Sequence, residues 1–83
     1  MGITIYTKPN CVQCNATKRS FDKAGVEYDL IDVSKDAVAY NRIVELGYRQ
    51  VPVVMTQAGT HWSGYRPEAI REAVAVAASI RVA

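Results

Sequence analysis

Apolar positions along the chain fall in short runs separated by polar, glycine or proline breaks, and the spacing within each run differs. Gly2–Thr7 is largely β-branched and apolar, which predicts a strand buried on both faces. From Val12 to Ala24, Cys14, Thr17, Phe21 and Ala24 recur at helical spacing, and Gly25 supplies a stop. Lys18, Arg19, Asp22 and Lys23 fall mostly on the opposite, solvated side. Val26–Val33, rich in β-branched and aromatic residues, predicts a second strand. Asp36 is placed to cap a second helix in which Ala39, Ile43 and Leu46 share a face, with Gly47 ending it. Val51–Thr56 reads as a third strand interrupted near its start by Pro52. Gln57-Ala58-Gly59 is a turn and Thr60–Ser63 a short return strand. Pro67 fits the first position of a last helix, with Ile70, Val74, Ala77 and Ile80 facing inward.

The expected order is therefore β-α-β-α-β-β-α. Helical crossovers make parallel neighbours and the tight turn at Gly59 an antiparallel pair, so a four-stranded mixed sheet flanked by three helices is the natural assembly. This is an α/β domain spanning 1–83, since 83 residues leave no room for a second one. An apolar content of 49% is enough for a compact core. No apolar stretch reaches the roughly 18 residues that cross a membrane, and no basic segment leads an apolar one at the start. The net charge of +2 comes from scattered Lys and Arg, which excludes a basic surface built for nucleic acid.

The chemistry lies in Cys11-Val12-Gln13-Cys14, which holds both cysteines of the chain. They follow the first strand and a Pro9-Asn10 turn, at the start of the first helix. That end of a helix presents unpaired N–H groups and partial positive charge, which stabilise a thiolate. Cys11, nearest the end, is therefore the expected nucleophile, and Cys14, about a turn deeper, the resolving thiol. Lys8 adds positive charge nearby, and Thr7 is placed to hydrogen-bond a sulfur. No acid is placed beneath the dithiol to take the proton of Cys14. Other uses of the pair carry less weight. With His61 it supplies three zinc ligands where four are needed. A copper(I) carrier suits soft thiolates, and a static disulfide across two residues would add little stability. The strand context favours thiol–disulfide exchange. Two cysteines cannot staple an extracellular scaffold, which points to a reducing cytoplasm.

Several segments together resemble the NrdH-redoxins, the short glutaredoxin-sized form of the thioredoxin fold. They are Thr4-Ile5-Tyr6-Thr7, Cys11-Val12-Gln13-Cys14, Ala16-Thr17-Lys18-Arg19, Gly47–Val54 and Trp62-Ser63-Gly64-Tyr65-Arg66-Pro67. They extend from the start of the chain to its last helix. CxxC alone is weakly specific, whereas CVQC combined with WSGxRP is strongly so. Tyr65 departs from the phenylalanine usual in the family but keeps the ring.

The resemblance implies a dithiol–disulfide oxidoreductase that donates electrons to the large subunit of a class Ib ribonucleotide reductase. NADPH-dependent thioredoxin reductase would recharge it. It also implies a cytoplasmic monomer with no bound cofactor or metal, whose redox-active group is a Cys11–Cys14 disulfide. Pro52 resembles the cis-proline that faces the dithiol in this fold, turning the Val51 N–H and C=O toward an extended substrate. Glutaredoxins bind a glutathione carboxylate with free N–H groups where this chain has Ser63, Gly64, Tyr65 and Arg66, and Pro67 has no N–H to offer. Trp62 and Tyr65 would add apolar docking surface, although for Trp62 a place in the core is an equal expectation. Arg66 is a candidate bridge to the turn after strand three. Val12 and Gln13, between the cysteines, belong to the same partner-facing surface. The Arg49-Gln50 pair is placed to face a partner, His61 to lie at the surface, and Tyr6, Tyr28, Tyr40 and Tyr48 to pack. A glutathione-dependent glutaredoxin is the nearer rival reading, and a copper(I)-binding module the distant one.

Overall fold

Ile3–Thr7 forms β1, Val12–Lys23 α1, Asp29–Asp32 β2, Ala37–Glu45 α2, Val53–Thr56 β3, His61–Ser63 β4 and Pro67–Val82 α3, in the expected order. The structure is a computed structural model describing residues 2–82, with side chains described as far as Ala78, so the Ile80 side chain lies outside the described residues. The four strands make one sheet in the order β2-β1-β3-β4. This is the thioredoxin fold.

Helical pattern and capping fix the helices. Cys11 is the N-cap of α1, and Asp36 caps α2 by accepting the Ala39 N–H at 3.0 Å. Both helices close with the same pair of backbone bonds. Gly25 N–H donates to Asp22 and Val26 N–H to Phe21; Gly47 N–H donates to Val44 and Tyr48 N–H to Ile43. Each closure places a glycine at positive φ and packs the next apolar residue back on the helix, a Schellman arrangement.

That closure corrects three sequence expectations. Ala24 and Leu46 are caps beyond their helices and are exposed, and Val26 and Tyr48 cover the ends instead. The strand expected from Val26 starts only at Asp29, because the Val26 N–H is committed to α1 and the register begins at Thr4 opposite Asp29. β3 likewise starts at Val53 rather than Val51, after a proline that has no N–H for a ladder.

β1 pairs in parallel with β2 but antiparallel with β3, so the second helical crossover does not make a parallel neighbour. Val53 stands opposite Tyr6 near the carboxyl end of β1. β3 therefore begins at the end of the sheet where β1 finishes, which brings residues 51 and 52 beside Cys11.

Alternate residues of the central strands feed two cores. Ile3, Ile5, Val54 and Trp62 pack with Phe21 of α1 and with Ile70 and Ala73 of α3. Tyr6 and Val53 pack on the other side with Ala39 and Ile43 of α2.

Beside the first core, Tyr28 donates its hydroxyl proton to Asp22 at 2.8 Å. Burial, then the bond to the carboxylate, pushes its pKa from 10.0 up to about 12. A raised folded-state pKa makes this contribution complete below pH 10 and lost as pH rises toward 12. Urea midpoints compared above and below pH 10 should fall more steeply for the native chain than for Tyr28→Phe. Parallel declines would show that Tyr28 does not carry the alkaline loss.

Candidate functional site

Cys11 and Cys14 form a disulfide with Cα atoms 5.2 Å apart, at the junction of the β1–α1 loop and the helix. The chain reaches it through Asn10, whose φ of 60° makes the turn. The Cys14 N–H donates to Cys11 Sγ at 3.1 Å, so the first turn of α1 aims a backbone donor at the sulfur that would carry charge. Cys11 is 8% exposed and Cys14 fully buried. Cys11 is thus largely covered although it stands at the helix start; Val12, at 83%, is the exposed residue there. The two thiols remain unequal in access, in the order expected.

The Val51 carbonyl oxygen lies 3.8 Å from Cys11 Sγ, and the Val51–Pro52 bond is cis, as the resemblance implied. Pro52 itself is fully buried. Its carbonyl accepts the Gly64 N–H at 2.8 Å, and the Ser63 hydroxyl donates to the Gln50 carbonyl at 3.1 Å. Ser63 and Gly64 thus brace the segment carrying Val51. Thr7 does not reach a sulfur; its hydroxyl donates to the Lys8 carbonyl at 3.4 Å.

An open groove runs beside the dithiol, and Lys8, Val12, Gln13 and Val51 all line it. So do Arg49 and Gln50. Tyr40 was expected only to pack, yet it is 43% exposed and forms a wall of this groove, together with Val33. Its signal was present in the pattern: Tyr40 precedes Ile43 by three residues, which puts both on one side of α2.

Gln13 has a second duty. Its Oε1 accepts the Tyr65 N–H at 3.2 Å, across 52 residues of sequence. A Cβ on residue 64 would stand 3.4 Å from that oxygen, on a backbone with φ of +85°, so glycine suits the crossing. The Tyr65 ring is 41% exposed, with its hydroxyl 3.5 Å from Ser20 Oγ.

Two expected contact residues lie elsewhere. Trp62 is 6% exposed and packs within the core between the sheet, α1 and α3, so it offers no docking face. An apolar ring on a short strand turned toward two helices buries more surface inward than outward. Arg66 lines a separate cavity with Gln57 and Ala58 of the turn after β3 instead of the groove at the dithiol, and no bond from its side chain to that turn is formed among the described residues. His61 is exposed, and its Nδ1 lies 2.7 Å from the Tyr48 hydroxyl.

The glutaredoxin family model matches residues 3–62. The glutaredoxin-like protein NrdH of Salmonella typhimurium is 46% identical over 70 residues, covering 84% of this chain and 85% of that one. The gene 56 protein of Mycobacterium phage D29 is 37% identical over 73 residues, covering 87% and 81%. Among solved structures, the glutaredoxin-like NrdH-redoxin of Escherichia coli, described as thioredoxin-like in its activity profile, superposes with a TM-score of 0.82. It is 42% identical, with 87% of this chain and 93% of that one covered.

Proposed function

From the premise that the chain belongs to the glutaredoxin family, in its NrdH group, we propose that it carries electrons from thioredoxin reductase to the large subunit of a class Ib ribonucleotide reductase. A chain of that family with this CxxC pair is a thiol–disulfide oxidoreductase. In the reduced form the Cys11 thiolate attacks one sulfur of the partner disulfide, and the other sulfur leaves and takes up a proton. The Cys14 thiol loses its proton and attacks Cys11 Sγ, releasing the second partner thiol and closing Cys11–Cys14. Two electrons have then passed to the partner, and two from NADPH, delivered through the reductase, restore the dithiol. The place of action is the cytoplasm and the acting unit a monomer.

The single observation that carries this reading over a glutathione-dependent one is the occupied Tyr65 N–H just ahead of α3. Free N–H groups at a helix start near the dithiol would receive a glutathione carboxylate. Here the Tyr65 N–H is taken by Gln13 Oε1, and residue 67 is a proline with no N–H. By contrast, Val51 beside the dithiol lies just before the β3 ladder begins at Val53. That leaves its backbone open to a protein substrate.

The test is NADPH oxidation with the protein as electron carrier to a disulfide acceptor such as insulin. Thioredoxin reductase should sustain rapid turnover, and glutathione with glutathione reductase little above background. The reverse pattern would make the chain an ordinary glutathione-dependent glutaredoxin. A ribonucleotide reductase acceptor then tests the proposed partner directly.

A further inference from the structure

The groove at the dithiol carries charge of one sign. Lys8 and Arg49 both line it and both are exposed, and among the described residues neither side chain makes a hydrogen bond or an ion pair. Among the described residues no aspartate or glutamate lines it. Asp32, at the neighbouring end of β2, directs its carboxylate to the Ser34 N–H at 2.9 Å and hydroxyl at 2.6 Å. Unpaired cations beside a reacting group raise the local concentration of anionic partners at that group. The same groove offers exposed apolar surface, Val12 at 83% exposure and Tyr40 at 43%.

We propose that this groove selects partner disulfides borne on an acidic protein segment, with carboxylates meeting Lys8 and Arg49 and an apolar side chain meeting Val12 and Tyr40. The inference rests on the oxidoreductase reading and adds to it the class of substrate. Carboxylates steer the encounter, and the apolar contact holds the segment while Cys11 attacks. Neither cation has an internal partner to exchange, so an incoming carboxylate displaces only water.

The experiment uses three synthetic disulfide peptides of equal length and equal apolar content, flanked by Asp and Glu, by Ser and Gln, or by Lys and Arg. Pre-reduced protein is mixed with each in a single turnover, so the two electrons come only from Cys11 and Cys14, and peptide thiol is measured against time. At low ionic strength the acidic peptide should be reduced about tenfold faster than the neutral one, and the basic peptide slowest. Near 0.5 M salt, where screening acts within a few ångströms, the three rates should converge to within about twofold. The double substitution Lys8→Glu with Arg49→Glu should invert the order. Three equal rates at low salt would overturn the inference while leaving disulfide exchange intact. An order that survives the double substitution would overturn the assignment to Lys8 and Arg49. Failure to reduce any peptide would remove the oxidoreductase reading as well.

Discussion

The Cys14→Ser protein is expected to accumulate a stable mixed disulfide through Cys11 when offered an oxidised protein partner, and Cys11→Ser to form none. Cys11 is the partly accessible sulfur and receives the Cys14 N–H at 3.1 Å, whereas Cys14 is fully buried. A backbone donor at a helix start favours the thiolate form, the form that attacks. With serine at 14 the second displacement has no sulfur to perform it, so the reaction halts after one bond exchange. The amide of residue 14 is retained in that variant, and so is its hydrogen bond to Cys11. Mass spectrometry of the trapped adduct reads the outcome, and turnover of both variants should fall to background. An adduct on Cys14 in the Cys11→Ser protein would reverse the two roles.

Trp62→Ala should cost about 3–5 kcal/mol of stability, the usual range for removing a large aromatic from a core. Against a total of roughly 5–15 kcal/mol for a domain, that is a large fraction. Thermal unfolding should move down by more than about 10 °C for a chain this short. The cause is the ring's position among Ile3, Ile5, Phe21, Val54, Ile70 and Ala73, which would surround the void. Trp62→Phe should cost far less. It keeps an aromatic ring and removes an indole N–H that is buried without a hydrogen-bond partner among the described residues. Far-UV circular dichroism with urea measures both, since the substitutions remove the chain's one tryptophan as a fluorescent probe. An unchanged midpoint for Trp62→Ala, together with weaker use by thioredoxin reductase, would place the ring at a docking surface instead.

Much of the fold follows from local pattern. Helical spacing, Asp36, Gly25, Gly47 and Pro67 each act over a few residues, and all mark ends that the structure keeps to within a residue or two. The cysteine pair is equally local, because a CxxC at a helix start is made by one turn of backbone. Together with the WSGxRP segment it made the family legible.

What the sequence by itself could not decide is what meets across the chain. Gln13 and Tyr65 lie 52 positions apart, and their hydrogen bond exists only because β3 and β4 bring α3's start to the dithiol. Tyr40 and Arg49 become walls of one groove with Cys11 because β3 runs antiparallel to β1 and begins where β1 ends. The placement of Trp62 turned on which side of β4 faces the helices, and a three-residue strand is too short for alternation to declare it. Local chemistry named the reacting atoms. The sheet topology, by joining distant segments, determined which surface surrounds them and which donors remain open.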